Sequence, residues 1–236
     1  MTRFAALLRK ELTEVFGTPI AYAVLIVFWM VSGYFFSFNL FFVNAAHMVT
    51  AFHNMSILLI LVAPLITMRV FAEEAKTGTL ELLLTLPLSE VQIVLAKFLA
   101  SLLVMLLMLA GTATAVVPLV LYGQPDLGPI LGGYLGIALL GTAFLAIGVL
   151  VSSLSRNQIV AALVTWAIIV LLWFVDYAAG LRLDYTLTRL VTHLSFSVHT
   201  VDLIRGVLNS TTVVYFASIV VAALALSVLA LQGRRA

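Results

Sequence analysis

"PILGGYLGIALLGTAFLAIGVLVS", residues 129–152, carries no charged side chain anywhere along its length. At a rise of 1.5 Å per residue, a helix of this length covers the roughly 30 Å hydrocarbon core of a bilayer. A surface helix of a water-soluble domain would show a polar face at 3.6-residue spacing, so the stretch predicts a membrane span. Working outward, apolar runs of similar length recur over 20–42, 54–70, 91–122, 158–179 and 212–232, making six spans. The run 91–122 exceeds what a crossing needs, so it projects from the bilayer or is tilted. Composition agrees: of 236 residues, 64% are hydrophobic and 9% charged, far from a soluble domain. The expected fold class is an all-α membrane protein with six transmembrane helices.

Arg3, Arg9 and Lys10 precede the first span, and Val43-Asn44-Ala45 faintly resembles a cleavage site, which raises a signal-peptide reading. The apolar stretch is too long for a signal h-region of about 7–15 residues, so it is read as a retained anchor. With no Cys there is no disulfide framework, thiol nucleophile or cysteine metal ligand. The net charge of +2 comes from scattered basic residues, which gives no nucleic-acid face.

Six spans place both termini on one side. Arg3, Arg9, Lys10, Arg69, Lys76, Lys97, Arg156, Arg234 and Arg235 fall on that side, against Arg182, Arg189 and Arg205 opposite. Basic residues accumulate in cytoplasmic segments, so both termini are expected in the cytoplasm. All six Glu sort to the inner side and all four Asp to the outer.

Two inner segments hold most of the charge. In "TRFAALLRKELTEVFGTP" the residues Phe4, Leu7, Leu8, Leu12, Val15 and Phe16 recur at helical spacing, with Arg9, Lys10, Glu11 and Glu14 assigned to the other face. This predicts an amphipathic elbow helix over 1–19, flat on the inner leaflet, with Pro19 at the turn into the first span. The second segment is "FAEEAKTGTLELLLTLPLSE", residues 71–90. Phe71 to Lys76 extend the second span, Thr77-Gly78-Thr79 end one helix and start another, and "TLELLLTL" forms about two turns closed before Pro87. Ser89 and Gln92 have capping-box spacing and open the third span. A two-turn helix is unstable alone in water, so its leucines must be buried on a partner, on neighbouring spans or in the membrane interface. Glu81 needs water or a donor.

The run Glu74-x-x-x-Gly78-Thr79-x-Glu81-x-Leu83-Leu84-x-x-Pro87, between spans two and three, resembles the signature of ABC-2 type transporter permeases. Residues 195–235 resemble the gliding-motility-type branch, with His199, Arg205-Gly206-Val207 and Tyr215 at matching places. The resemblance implies that residues 1–236 form one ABC-2 type transmembrane domain, in which 71–90 is a coupling segment docking on an ATP-binding subunit. It assigns partner binding to Glu73, Glu74, Lys76, Thr77, Gly78, Thr79, Leu80, Glu81, Leu83 and Leu84. It also implies two ATP-binding chains carrying ATP and Mg, a second permease chain, and an accessory protein on the outer side. This chain's three lysines follow Arg9, Ala75 and Ala96, so none completes the Gly-Lys of a Walker A loop. A haem-export-type permease and a non-transporting membrane scaffold are the alternatives.

No HExxH or G-x-S-x-G motif suggests a hydrolase. His193 and His199, six residues apart, and His47 and His53 do not match a metal-ligand spacing. The outer segment 180–211 reads as a re-entrant or interfacial helical hairpin, with His199, Asp202 and Arg205 as candidates for an outer gate or accessory contact. Asp176 either lines a route or anchors the interface beside Tyr177. Gly132, Gly136, Gly141 and Gly148 predict close helix packing, within the chain in preference to a dimer seam.

Overall fold

The computed structural model describes residues 3–42, 48–122, 125–180 and 185–235. The readings made on Val43-Asn44-Ala45, His47, Arg182 and Asp184 lie outside the described residues. Within them the helices are α1 (Arg3–Phe16), α2 (Pro19–Phe42), α3 (Met48–Thr67), α4 (Ala72–Thr77), α5 (Thr79–Thr85), α6 (Glu90–Thr112), α7 (Val116–Tyr122), α8 (Leu127–Leu154), α9 (Gln158–Phe174), α10 (Tyr185–Leu194), α11 (Phe196–Ile204) and α12 (Ser210–Arg235). No strand occurs among the described residues, and six helical stretches are long and apolar enough to cross a membrane. They are Pro19–Leu40, Met48–Thr77, Glu90–Leu121, Leu127–Leu154, Gln158–Tyr177 and Ser210–Arg234. The six-span, all-α expectation holds, with the second span starting earlier than 54.

The over-long third span is resolved by a break. Pro118 has no N–H to offer the carbonyl of Thr114, and its ring crowds that carbonyl. The chain tightens into a 3-10 turn at Ala113–Ala115 between α6 and α7. Trp29 of α2 clamps the end of α6, donating from Nε1 to the Met108 carbonyl at 2.8 Å.

The charge-free stretch 129–152, the fourth span in chain order, is the centre of the bundle. α8 packs against α3, α6, α9, α11 and α12. Its span is 72% buried, against 28%, 22% and 17% for those of α2, α9 and α12, so those three line the outside. The α8 glycines explain the close approach. A Cβ at Gly132 would strike the Gly206 carbonyl, one at Gly136 would lie 2.8 Å from Leu203 Cβ, one at Gly141 would strike Met105, and one at Gly148 would strike Thr67. All four serve packing inside the chain, where close contact supplies dispersion that lipid cannot.

The segment before the last span holds the two helices α10 and α11. Ser195 separates them, accepting from Val198 N at 3.5 Å and donating to Asp176 Oδ1 at 3.0 Å. Asp176 is thus tied to the α10–α11 joint. α11 ends in a Schellman motif: Gly206 N bonds the Leu203 carbonyl at 3.0 Å and Val207 N bonds the Asp202 carbonyl at 3.0 Å, with Gly206 at φ 77°. That geometry accounts for the Arg205-Gly206-Val207 pattern, because a side chain at 206 would strike Pro129 backbone as well as strain φ.

Candidate functional site

At the end of the bundle that carries α1, the chain leaves α3, turns, and forms α4 and α5 before entering α6. Pro64 weakens the last turns of α3, and Thr67 Oγ1 donates back to the Ala63 carbonyl at 2.9 Å. The N-terminus of α4 has no side-chain cap of its own. Ser152 of α8 supplies one: its buried Oγ accepts from Phe71 N at 3.0 Å and Ala72 N at 3.1 Å, and donates to the Met68 carbonyl at 3.3 Å. Every hydrogen-bonding capacity of one hydroxyl is used, and α4 is fixed to the central helix.

The corner between α4 and α5 is Gly78, in the left-handed region at φ 76°. In the structure nothing lies within 4 Å of an added Cβ, so backbone conformation alone selects glycine. Thr77 and Thr79 join their hydroxyls across the corner at 2.9 Å. α5 closes at Leu86, whose extended backbone (ψ 150°) leads into Pro87. The expected capping box is present in both halves, Gln92 N to Ser89 Oγ at 3.3 Å and Ser89 N to Gln92 Oε1 at 3.2 Å.

The proposed partner-binding residues divide into two faces. Glu73, Lys76, Thr77, Gly78, Thr79 and Glu81 are exposed. Leu80, Leu83 and Leu84 are buried in the chain's own core, which revises their assignment as partner contacts: of the burial sites considered for them, neighbouring helices supply it. Leu82, by contrast, stays 67% exposed. Glu74 also turns inward, with 14% of its side chain exposed.

Inside, α1, α4 and α6 meet at a buried ionic cluster. Lys97 of α6 donates to both carboxylate oxygens of Glu11 at 3.0 Å and lies 3.0 Å from Glu74 Oε1. Its ammonium sits 5.3 Å from the centroid of the buried Phe71 ring. Lys10 completes the cluster, 3.1 Å from Glu14, 3.7 Å from Glu74 and 3.8 Å from Glu11. Carboxylates of Glu11, Glu14 and Glu74 converge here, and two ammoniums supply the counter-charge. Burial pushes the Glu11 carboxyl above the usual range, and Lys97 pulls it only part of the way back. Burial lowers Lys10, but its bond to Glu14 and the surrounding carboxylates outweigh this and leave it raised.

Glu11 was assigned to the polar face of the elbow helix together with Arg9 and Lys10. Arg9 and Lys10 are exposed, whereas Glu11 is buried beside Leu7. The Lys97 ammonium makes that inward face habitable for a carboxylate. Lys97 and Ser152 were missed in the site reading. A lysine inside the apolar run 91–122 was a usable signal, because an ionisable group in a span demands a partner. Nothing in the sequence marks Ser152. α1 is held a second time where Arg3 Nη1 donates to the Pro87 carbonyl at 3.1 Å.

At the opposite end, the ring of His199 stacks on Tyr215 with centroids 4.0 Å apart, its Nδ1 lies 2.9 Å from the Ser195 carbonyl, and Tyr215 donates to the Leu194 carbonyl at 2.7 Å. Asp202 and Arg205 show no side-chain ion pair among the described residues, so His199, Asp202 and Arg205 do not form one charged cluster.

None of the curated proteins compared with the chain matches it. The family model described as "ABC-2 family transporter protein" matches residues 39–232, most of the chain from the end of α2 through α12. That match, on a bundle of six membrane-capable helices with a folded α4–α5 projection, makes the chain a permease component of the ABC-2 family of transporter proteins.

Proposed function

We propose that this chain is the membrane subunit of an ATP-driven exporter and that its α4–α5 corner is the coupling element. The observation that carries the reading is the contrast between the two faces of that corner. Lys76, Thr77, Gly78, Thr79 and Glu81 are exposed in a ridge, while Glu74, Leu80, Leu83 and Leu84 anchor it from behind. A partner pushing on the ridge would move α3 and α6 together, as a rigid-body lever. ABC-2 permeases pair with ABC ATPase subunits; here two such chains would bind ATP and Mg and a second permease chain would complete the complex. The termini would be cytoplasmic in a bacterial or archaeal inner membrane.

The branch is proposed to be gliding-motility-type, supported by the His199–Tyr215 stack and the Gly206 motif in the segment that carries the resemblance. The α10–α11 end, with His199, Asp202 and Arg205, would then serve as an outer gate or accessory-protein contact. The test is purification of the tagged chain from its native membrane in mild detergent. A co-purifying protein with a Walker A loop and ATPase activity is expected, lost on Glu81→Lys because charge reversal in a desolvated contact costs several kcal/mol. A chain that brings down no ATP-binding protein would overturn the reading and favour a scaffold.

A further inference from the structure

Between α1, the start of α2, the end of α3, α4–α5 and α6 lies a cavity of about 870 Å³. We propose that it binds a zwitterionic phospholipid drawn from the bilayer, held by its headgroup and the upper part of one acyl chain.

The cavity has two kinds of wall. The lining includes the cations Lys10, Arg69 and Lys97 and the carboxylates Glu11, Glu14, Glu73 and Glu74, together with the apolar Ala21, Val24, Leu65, Ile66 and Val104. Only an amphiphile satisfies both, since a water-soluble ion would leave the apolar wall wet. The depth fits: Val24 lies about 8 Å along the helix from Pro19, where the span starts, close to the level at which headgroups give way to chains. Part of the mouth is apolar, for the lining residues Ile20, Leu65, Leu82 and Leu86 are 41%, 43%, 67% and 45% exposed.

Charge selects the headgroup. Lys97 holds Glu11 and Glu74 Oε1 at 3.0 Å deep in the wall, and Glu74 Oε2 is left without a partner. Toward solvent stand two exposed ion pairs that a headgroup can enter, Lys10–Glu14 at 3.1 Å and Arg69–Glu73 at 4.0 Å, with side chains 48% and 57%, and 34% and 50%, exposed. The whole lining carries one more carboxylate than cation, which disfavours an anionic lipid. A phosphate between Lys10 and Arg69 with an ammonium toward Glu14 or Glu73 matches the rim in both signs. This inference goes beyond the transport reading and does not require a partner chain.

The experiment is native mass spectrometry of the full chain, delipidated in mild detergent and titrated with dioleoyl phosphatidylethanolamine or dioleoyl phosphatidylglycerol. One bound phosphatidylethanolamine per chain is expected, preferred about tenfold over phosphatidylglycerol. Val24→Trp, which fills the apolar half, should abolish binding. The exposed pair Glu14→Gln/Arg69→Gln, which leaves the Lys97–Glu11 and Lys97–Glu74 contacts in place, should lose the preference even if Val24→Trp misfolds. Chainless glycerophosphoethanolamine should not compete. Equal binding of the two lipids, unchanged selectivity in the Glu14→Gln/Arg69→Gln chain, or competition by the chainless headgroup each overturns the proposal. Because ATP and partner are absent from the assay, its failure leaves the permease reading untouched.

Discussion

Lys97 holds both carboxylate oxygens of Glu11 at 3.0 Å, across 86 residues of sequence and with 2% of the lysine side chain exposed. The pair joins α1 to α6, and Glu74 brings α4 into the same knot. Removing one member of a buried pair costs about 3–5 kcal/mol, because the remaining charge is stranded. Lys97→Met is therefore expected to lower the unfolding temperature of the detergent-purified chain sharply. The effect carries a pH signature. A carboxyl whose folded pKa is raised, as for Glu11, contributes stability below its unfolded pKa of 4.5 and loses it as pH rises through the folded value. Without Lys97 the folded value rises further, so the mutant should approach wild type near pH 5 and fall away from it at pH 8. A deficit independent of pH would contradict the assignment of Glu11 as the stranded group.

Ser152→Ala leaves the buried Phe71 and Ala72 N–H groups without their acceptor, at about 1–3 kcal/mol for each unsatisfied group. The loss falls on the joint between α3 and α4. Hydrogen exchange over 71–85 should accelerate about tenfold or more while the interior of α8 keeps its protection. Unchanged exchange at Phe71 and Ala72 would mean that the cap does not hold the corner.

Because Gly78 has open space around it and a φ of 76°, the two substitutions Gly78→Asn and Gly78→Val separate backbone demand from steric demand. Asn tolerates the left-handed region and Val does not. In a reconstituted complex, Gly78→Asn should keep stimulated ATP turnover and transport. Gly78→Val should assemble yet lose the coupling between them, since α5 would be aimed elsewhere. Full coupling in an assembled Gly78→Val complex would refute the lever.

The absence of native cysteine makes sidedness directly measurable. Cysteine at Arg156, exposed between α8 and α9, should resist an impermeant thiol reagent in intact cells, and cysteine at Asp126, exposed at the head of α8, should react. The reverse pattern would invert the proposed orientation.

What the sequence determined by itself was whatever depends on local chemistry and length. Six apolar runs of roughly bilayer-spanning length, far longer than a barrel strand, select helices; Gly78, Leu86-Pro87 and the Ser89–Gln92 pair mark helix ends through interactions made within a few residues. The break at 113–115 was also legible, through Pro118, although the run was read as one long span. Tertiary structure decided the rest, because it rests on pairs far apart in the chain. Charge assigned Glu11 to the polar face of α1, although helical spacing sets it among Phe4, Leu7 and Val15; only the approach of Lys97 from α6 makes that inner face tolerable for a carboxylate. Leu80, Leu83 and Leu84 needed burial, but periodicity could not say whether a partner, the membrane or the chain itself supplies it. Ser152 looks like any serine at the end of an apolar run. It becomes the cap of α4 because Gly148, one turn earlier, lets the end of α3 come close enough to be held.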